Sequence, residues 1–193
     1  SLLPVRNENN RGRVVKTAAQ ALIGKVYLTR LNYSAARESL LKVVNSNAHN
    51  LIAVDEVFSI DNELNEELIF VVQYASGINS NGEGSDAYRM FNPTGRQDGG
   101  MAGTKGHGVL KPDFFALYDG TDSRKGVFVG QLESGLAYNN KIAVPTTVVG
   151  DSPSDWVVLR YADVLLMLAE IENELGNSSD AVSYLNEIRN RAN

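Results

Sequence analysis

The C-terminal segment, residues 154–193, constrains the fold of this chain more than any other stretch. From Val157 to Ala169 eleven of thirteen residues are apolar, interrupted only by Arg160 and Asp163. At about 3.6 residues per turn, Arg160, Asp163, Glu170, Glu174 and Asn177 share one narrow stripe, so the spacing predicts a helix buried on its remaining sides. Exposing so much apolar surface would cost roughly 25 cal/mol for each Å². Ser154 or Asp155 is placed to cap its start, and Gly176 to end it in the left-handed conformation. A second helix follows, with Ala181, Val182, Tyr184, Leu185, Ile188 and Ala192 inward at helical spacing and Glu187 paired with Arg191 outside. The segment reads as a helix hairpin, with Arg160 and Asp163 as an internal ion pair.

A similar hairpin is expected near the N-terminus. Residues 1–12 have loop composition. Arg13–Leu31 predicts a helix with Val15, Ala18, Ala19, Leu22, Ile23, Val26 and Tyr27 on an apolar face, and Tyr33–Val44 a second helix with Ala36, Leu40, Val43 and Val44 inward. In one hairpin Gly24 precedes Ala36 by twelve residues, and in the other Ala169 precedes Ala181 by the same interval. Small residues there let two helices approach, while Leu40 and Val43, or Leu185 and Ile188, fill the gap. This is the pattern of tetratricopeptide-type repeats. The fold class expected is mainly α: tetratricopeptide-like helix hairpins, an α/α superhelix, with a long irregular insert containing short β-strands. One domain is expected over 1–193, with hairpins at 13–45 and 155–193 and the insert at 46–154. Repeats of this kind bury their faces on neighbours, so the two hairpins either pack on one another across the long insert or call for further packing partners.

Within the insert, Leu68–Val72 reads as a buried strand continuing to Ala75. Gly77–Gly108 holds nine glycines in thirty-two residues and predicts a long irregular excursion. Pro112–Tyr118 suggests a short helix, and Val127–Val129, Leu136–Tyr138 and Lys141–Val149 suggest extended segments.

The chemistry is sparse. With 43% hydrophobic residues and a net charge of −5 of mixed sign, the chain lacks the clustered basic face of a nucleic-acid binder. It has no cysteine for a disulfide or thiolate metal site. No apolar run reaches the roughly 18 residues of a transmembrane helix. There is no nucleophile motif, and no cofactor or metal is expected; His49 and His107 read as loop or surface residues. Asp119, Asp122 and Arg124 read as a tied turn rather than a calcium loop. Trp156 reads as core packing rather than a platform. The candidate ligand-binding residues are Tyr88, Arg89, Phe91 and Asn92 in the glycine-rich loop, with Gln73 and Tyr74 at its base. Rings beside amides and an arginine suit the apolar faces and hydroxyl rims of sugars, though plain anchoring of the loop explains the same residues.

Several strings resemble the SusD/RagB family. They are Trp156–Glu170 (WVVLRYADVLLMLAE) with Asp180–Ala192 (DAVSYLNEIRNRA), Gly12–Leu28 (GRVVKTAAQALIGKVYL), Glu67–Tyr74 (ELIFVVQY) and Pro112–Arg124 (PDFFALYDGTDSR), in the family's order. The resemblance implies the C-terminal portion of a surface lipoprotein that binds glycans or other nutrients without catalysis. It implies an outer-membrane location, with a lipid anchor upstream of this chain. The partners implied are a TonB-dependent, SusC-like transporter, an oligosaccharide ligand and a missing N-terminal half of the same protein. Two other classes are weighed against it. An intracellular helical-repeat adaptor explains the hairpins but not the insert, and a glycosidase finds no support in the carboxylate spacing.

Overall fold

In a computed structural model of the chain, the structure describes residues 2–77, 82–93, 100, 102–142 and 144–193. The helices are α1 (Lys16–Thr29), α2 (Tyr33–Val44), α3 (Ala87–Phe91), α4 (Pro112–Phe115), the single turn α5 (Arg124–Val127), α6 (Tyr161–Glu174) and α7 (Ser178–Ala192). The strands are β1 (Leu68–Val72), β2 (Val109–Leu110), β3 (Val129–Gln131), β4 (Ala137–Asn139) and β5 (Trp156–Arg160). Contacts divide the chain into two compact units: residues 1–53, 64–71 and 157–191 form the first, and 54–63, 72–156 and 192–193 the second.

In the first unit α1 and α2 form the expected hairpin, turning at Leu31 (φ +57°) with Asn32 capping α2 through the Ala35 N–H. Gly24 and Leu40 meet so closely that a Cβ on Gly24 would collide with the leucine side chain. Small residues Ala18, Ala21 and Gly24 therefore face the core, and α2 packs in turn on α6. The larger α1 residues Leu22, Ile23 and Val26, expected on the buried face, are about half exposed. The same correction holds on α7, where Ala181 and Ile188 are buried but Val182 and Leu185 are exposed. On α1 the small residues turn inward where the helix backbones approach closely, with Leu28 beside them, and α7 buries Ala181, Ile188 and Ala192.

The apolar run at 157–169 is not one helix. Trp156–Arg160 is a strand, paired with β1, and α6 begins at Tyr161. Consecutive Trp, Val, Val favours an extended backbone, and tertiary pairing with the Leu68–Val72 strand settles the choice. β1 ends at Val72 rather than continuing to Ala75. The N-cap position of α6 is Arg160, whose N–H donates at 2.8 Å to Oδ2 of Asp163 at the third helical position; neither Ser154 nor Asp155 holds that place. Gly176 ends the helix with φ +83°, as expected.

The expected Arg160–Asp163 ion pair forms, and Glu67 joins it as a second partner of the arginine. Arg160 Nη2 lies 3.5 Å from Asp163, whereas Arg160 Nη1 donates at 3.1 Å to Glu67 Oε1. Arg191 Nη1 donates to Glu67 Oε2 at 2.5 Å, and the Ile52 N–H reaches the same oxygen at 3.2 Å. Glu67 is fully buried, so one carboxylate fastens β1, β5 and α7. A second buried carboxylate, Glu172 of α6, accepts from Arg37 of α2 at 2.5 Å and from Asn177 at 2.7 Å.

His49, expected at the surface, is 2% exposed. Arg6 Nη1 lies 2.8 Å from its Nδ1, which also stands 3.1 Å from the Glu66 carbonyl, and its Nε2 lies 2.9 Å from Thr17 Oγ1. Burial, followed by the Arg6 charge, lowers the His49 pKa to about 4. His107 is exposed, as expected.

The second unit contains an antiparallel sheet in the order β2–β4–β3, with Gly130 opposite Tyr138. A side chain on Gly130 would strike the Tyr138 ring and force the phenol to move. Lys141 Nζ lies 5.5 Å and 5.0 Å from the ring centres of Phe58 and Phe128, a cation–π contact with both. Among the described residues no strand covers 141–149, and α3 interrupts the expected excursion at 77–108.

Two outcomes follow. Glu67→Ala leaves Arg160 and Arg191 buried without their common partner and is expected to lower stability by about 3–5 kcal/mol in urea unfolding. For His49, the unfolded side chain takes its proton near pH 6.5 and the folded one near 4. Its contribution is complete above pH 6.5 and declines as pH falls to 4, a loss of about 3 kcal/mol that His49→Gln should remove from the pH profile.

Candidate functional site

The second unit carries a surface built by two chain segments, 73–93 and 150–156. The Tyr74 N–H donates to Asp155 Oδ1 at 2.8 Å, and the Gly77 N–H to both Asp151 oxygens at 3.0 and 3.2 Å. Ser85 and Ser152 exchange backbone hydrogen bonds of 2.9 and 3.0 Å. Gly84 lies flat on the backbone of Gly150 and Asp151, where a Cβ would not fit. These bonds fix the start of α3, and with it the ring of Phe91.

Phe91 meets Trp156 with ring centroids 5.9 Å apart and planes tilted by 36°. Trp156 is 47% exposed, and Phe91 is half-buried. Strand alternation explains the tryptophan: Leu159 is buried, whereas Trp156 and Val158 stand outward. The reading of Trp156 as core is therefore corrected. It followed from placing the residue on a helix, since the unbroken apolar run of residues 156–159 carries no alternation that would mark a strand.

The six candidate residues do not form one exposed cluster. Gln73 is exposed and Tyr74 half-buried, at the base as expected. Arg89 is half-buried and tied to Asp86, with Nε donating at 2.7 Å to Oδ1 and a second contact to Oδ2; this hydrogen bonding raises its pKa. Asn92 is buried. Tyr88 is fully buried, and its phenol fills the space that a side chain at Gly100 would need. Tyr88 is thus no ligand platform, because the short α3 helix turns Ala87 and Tyr88 inward while Phe91 reaches the surface.

Near the base, burial raises the Asp155 pKa, opposed by the Tyr74 N–H. Burial, and then the Asp155 charge, raises that of Glu63. The Asp119–Arg124 turn is tied as expected: Asp119 Oδ1 accepts from the Thr121 and Asp122 N–H groups, and Asp122 holds Arg124 at 2.6 and 2.8 Å. Among the described residues no group of three or more His, Cys, Asp or Glu is arranged to hold a metal ion. What the arrangement offers is two adjoining rings, with amide, phenol and carboxylate groups on the neighbouring segments. That combination suits a ligand with one apolar face and a hydrogen-bonding edge.

Fold and surface together define a class: helix-hairpin proteins whose irregular insert presents aromatic side chains. Residues 134–193 match the SusD family (SusD/RagB). SusD-like protein P25 of Formosa agariphila is 26% identical over 99% of this chain and 44% of its own length. SusD-like protein P2 of the same organism is 30% identical over 92% of this chain and 41% of its own. The chain thus spans less than half the length of these relatives. Surface glycan-binding protein A of Bacteroides thetaiotaomicron, solved in complex with laminarihexaose, shares the fold with a TM-score of 0.82 at 19% identity, over 99% of this chain and 50% of that one. The SusD/RagB resemblance is shown by the family match, by SusD-like relatives along nearly the whole chain and by the shared mainly α, tetratricopeptide-like fold.

The burial contrast gives a direct check. Tyr88→Ala is expected to cost about 3–5 kcal/mol in urea unfolding, as for a large buried side chain, and Trp156→Ala about 1 kcal/mol or less.

Proposed function

We propose that this chain is the C-terminal, SusD-like domain, residues 1–193, of a glycan- or nutrient-binding component of an outer-membrane uptake system. It holds an oligosaccharide without breaking a bond and presents it to a TonB-dependent, SusC-like transporter. The protein resides at the outer-membrane surface, with its lipid anchor upstream of this chain. The remainder of a protein of the relatives' length is a further partner.

The observation that carries the reading is the half-exposed Trp156 ring set against Phe91. A solvent-facing indole costs apolar exposure, and a sugar's C–H face covers it well while its hydroxyl rim seeks hydrogen bonds. In this reading Gln73, Tyr74 and Arg89 supply those bonds around Phe91 and Trp156. Tyr88 and Asn92 support the platform from the interior rather than touching the ligand. The glycan-binding names of SusD-like proteins with this fold support the same assignment.

Calorimetry with a panel of oligosaccharides, laminarihexaose among them, tests the proposal. Saturable binding without release of reducing ends is expected, weakened about tenfold or more by Trp156→Ala, equivalent to ~1.4 kcal/mol. Equal affinities would remove the platform from the site, and reducing sugar released by the wild-type chain would contradict a non-catalytic role.

A further inference from the structure

The first unit contains a solvent-open cleft of about 30 Å³, room for a group the size of about two water molecules. It is lined by Arg6, Arg11 and Arg13, by Asn10 and Gly12, and by apolar residues that include Val15, Ile69 and Phe70. Three guanidinium groups and no carboxylate line it, in a chain whose net charge is −5. Such a concentration of one charge needs an explanation, because like charges held together by a fold repel.

Of the three arginines only Arg11 pairs with a carboxylate among the described residues, and that pair is exposed. Arg6 spends its two terminal nitrogens on neutral acceptors: the carbonyls of Leu64, Asn65 and Leu68, at 2.8–2.9 Å, and His49. Among the described residues no carboxylate lies within ion-pair distance of it. Burial, and next the charge of Arg11, lower the Arg6 pKa, while the charges of Glu66 and then Glu8 oppose this. Arg11 pairs with Glu8 at 3.2 Å, but the two side chains are 43% and 81% exposed, and water screens such a pair. Arg13 is exposed and pairs with no carboxylate among the described residues. Gly12, with φ +77°, makes the turn that lets Arg11 and Arg13, on either side of it, line the same cleft.

We propose that this cleft is an oxyanion site for a sugar bearing a sulfate ester or a carboxylate. The planar guanidinium matches both groups through paired N–H donors, and the apolar lining meets the carbon skeleton that carries the anion. The anion is set by the arginines alone; only the choice of a sugar as its carrier rests on the glycan-binding reading above.

The test is calorimetry on the full chain with glucuronate, glucose 6-sulfate, glucose and inorganic sulfate, using the wild type, an Arg11→Gln/Arg13→Gln double variant and Trp156→Ala. Arg6 is left in place because it fastens the N-terminal segment. Both charged sugars are expected to bind where glucose at the same concentration does not. Their affinity should fall about tenfold or more in the double variant, and again when salt is raised from about 50 to about 500 mM. Trp156→Ala should leave it unchanged, which separates this site from the platform whether or not the platform binds glycan. Undiminished binding to a double variant that melts like the wild type would overturn the proposal. So would binding of inorganic sulfate with neither charged sugar, or no binding of any anion.

Discussion

The first unit depends on one buried carboxylate. Glu67 stands just before β1 and receives Arg160 from the end of β5 and Arg191 from the end of α7, with the Ile52 N–H completing the set. Removing a carboxylate from water costs several kcal/mol, and the cost is met only because both oxygens are engaged by cations and a backbone donor. The Glu67 carbonyl also accepts the Tyr161 N–H at 2.8 Å, at the first turn of α6. A single residue thus fixes where the strand ends and the helix begins. That junction holds Val164, Leu168 and Ile171 against Leu40 and Val43, the apolar contact that makes two hairpins one core.

The second unit has a different economy of forces. Its sheet strands are two or three residues long, and its exposed platform is held mainly by backbone N–H groups donating to the Asp155 and Asp151 carboxylates and by the backbone exchange between Ser85 and Ser152. Asp155, Asp151 and Ser152 act on successive N–H groups of the segment leading into α3, so the backbone there is set without a large apolar core. A surface of this type keeps its aromatic rings available, since they are not required to fill the interior.

Much of the fold was legible in the sequence, for identifiable reasons. Gly24 and Ala36 at their fixed interval announced a close helix pair, and Leu68–Val72 announced a strand, because periodicity and residue size act locally. The Trp156–Arg160 strand was hidden because its apolar run merges with that of α6 and its pairing with β1 is non-local. Glu67 was illegible as an organising residue, since its two arginines lie 93 and 124 positions away in the chain. At the candidate site, composition singled out Gln73, Tyr74 and Phe91, of which Gln73 is exposed and the other two are half-buried. Tyr88 and Trp156 exchanged roles, one going inward and the other outward, because each hinges on which face of a short element meets solvent. His49 was misplaced for a related reason: a loop position can be buried when an arginine 43 residues away closes over it.

The central claim is that Trp156 meets the ligand, and the chain's only tryptophan gives it a private reporter. The most direct measurement is the indole N–H resonance in a ¹H–¹⁵N spectrum during titration with a bound oligosaccharide. The account predicts that this one resonance shifts progressively and saturates together with the backbone amides of Tyr74 and Phe91. An indole resonance that stays fixed while other amides shift to saturation would place the ligand elsewhere and contradict the account.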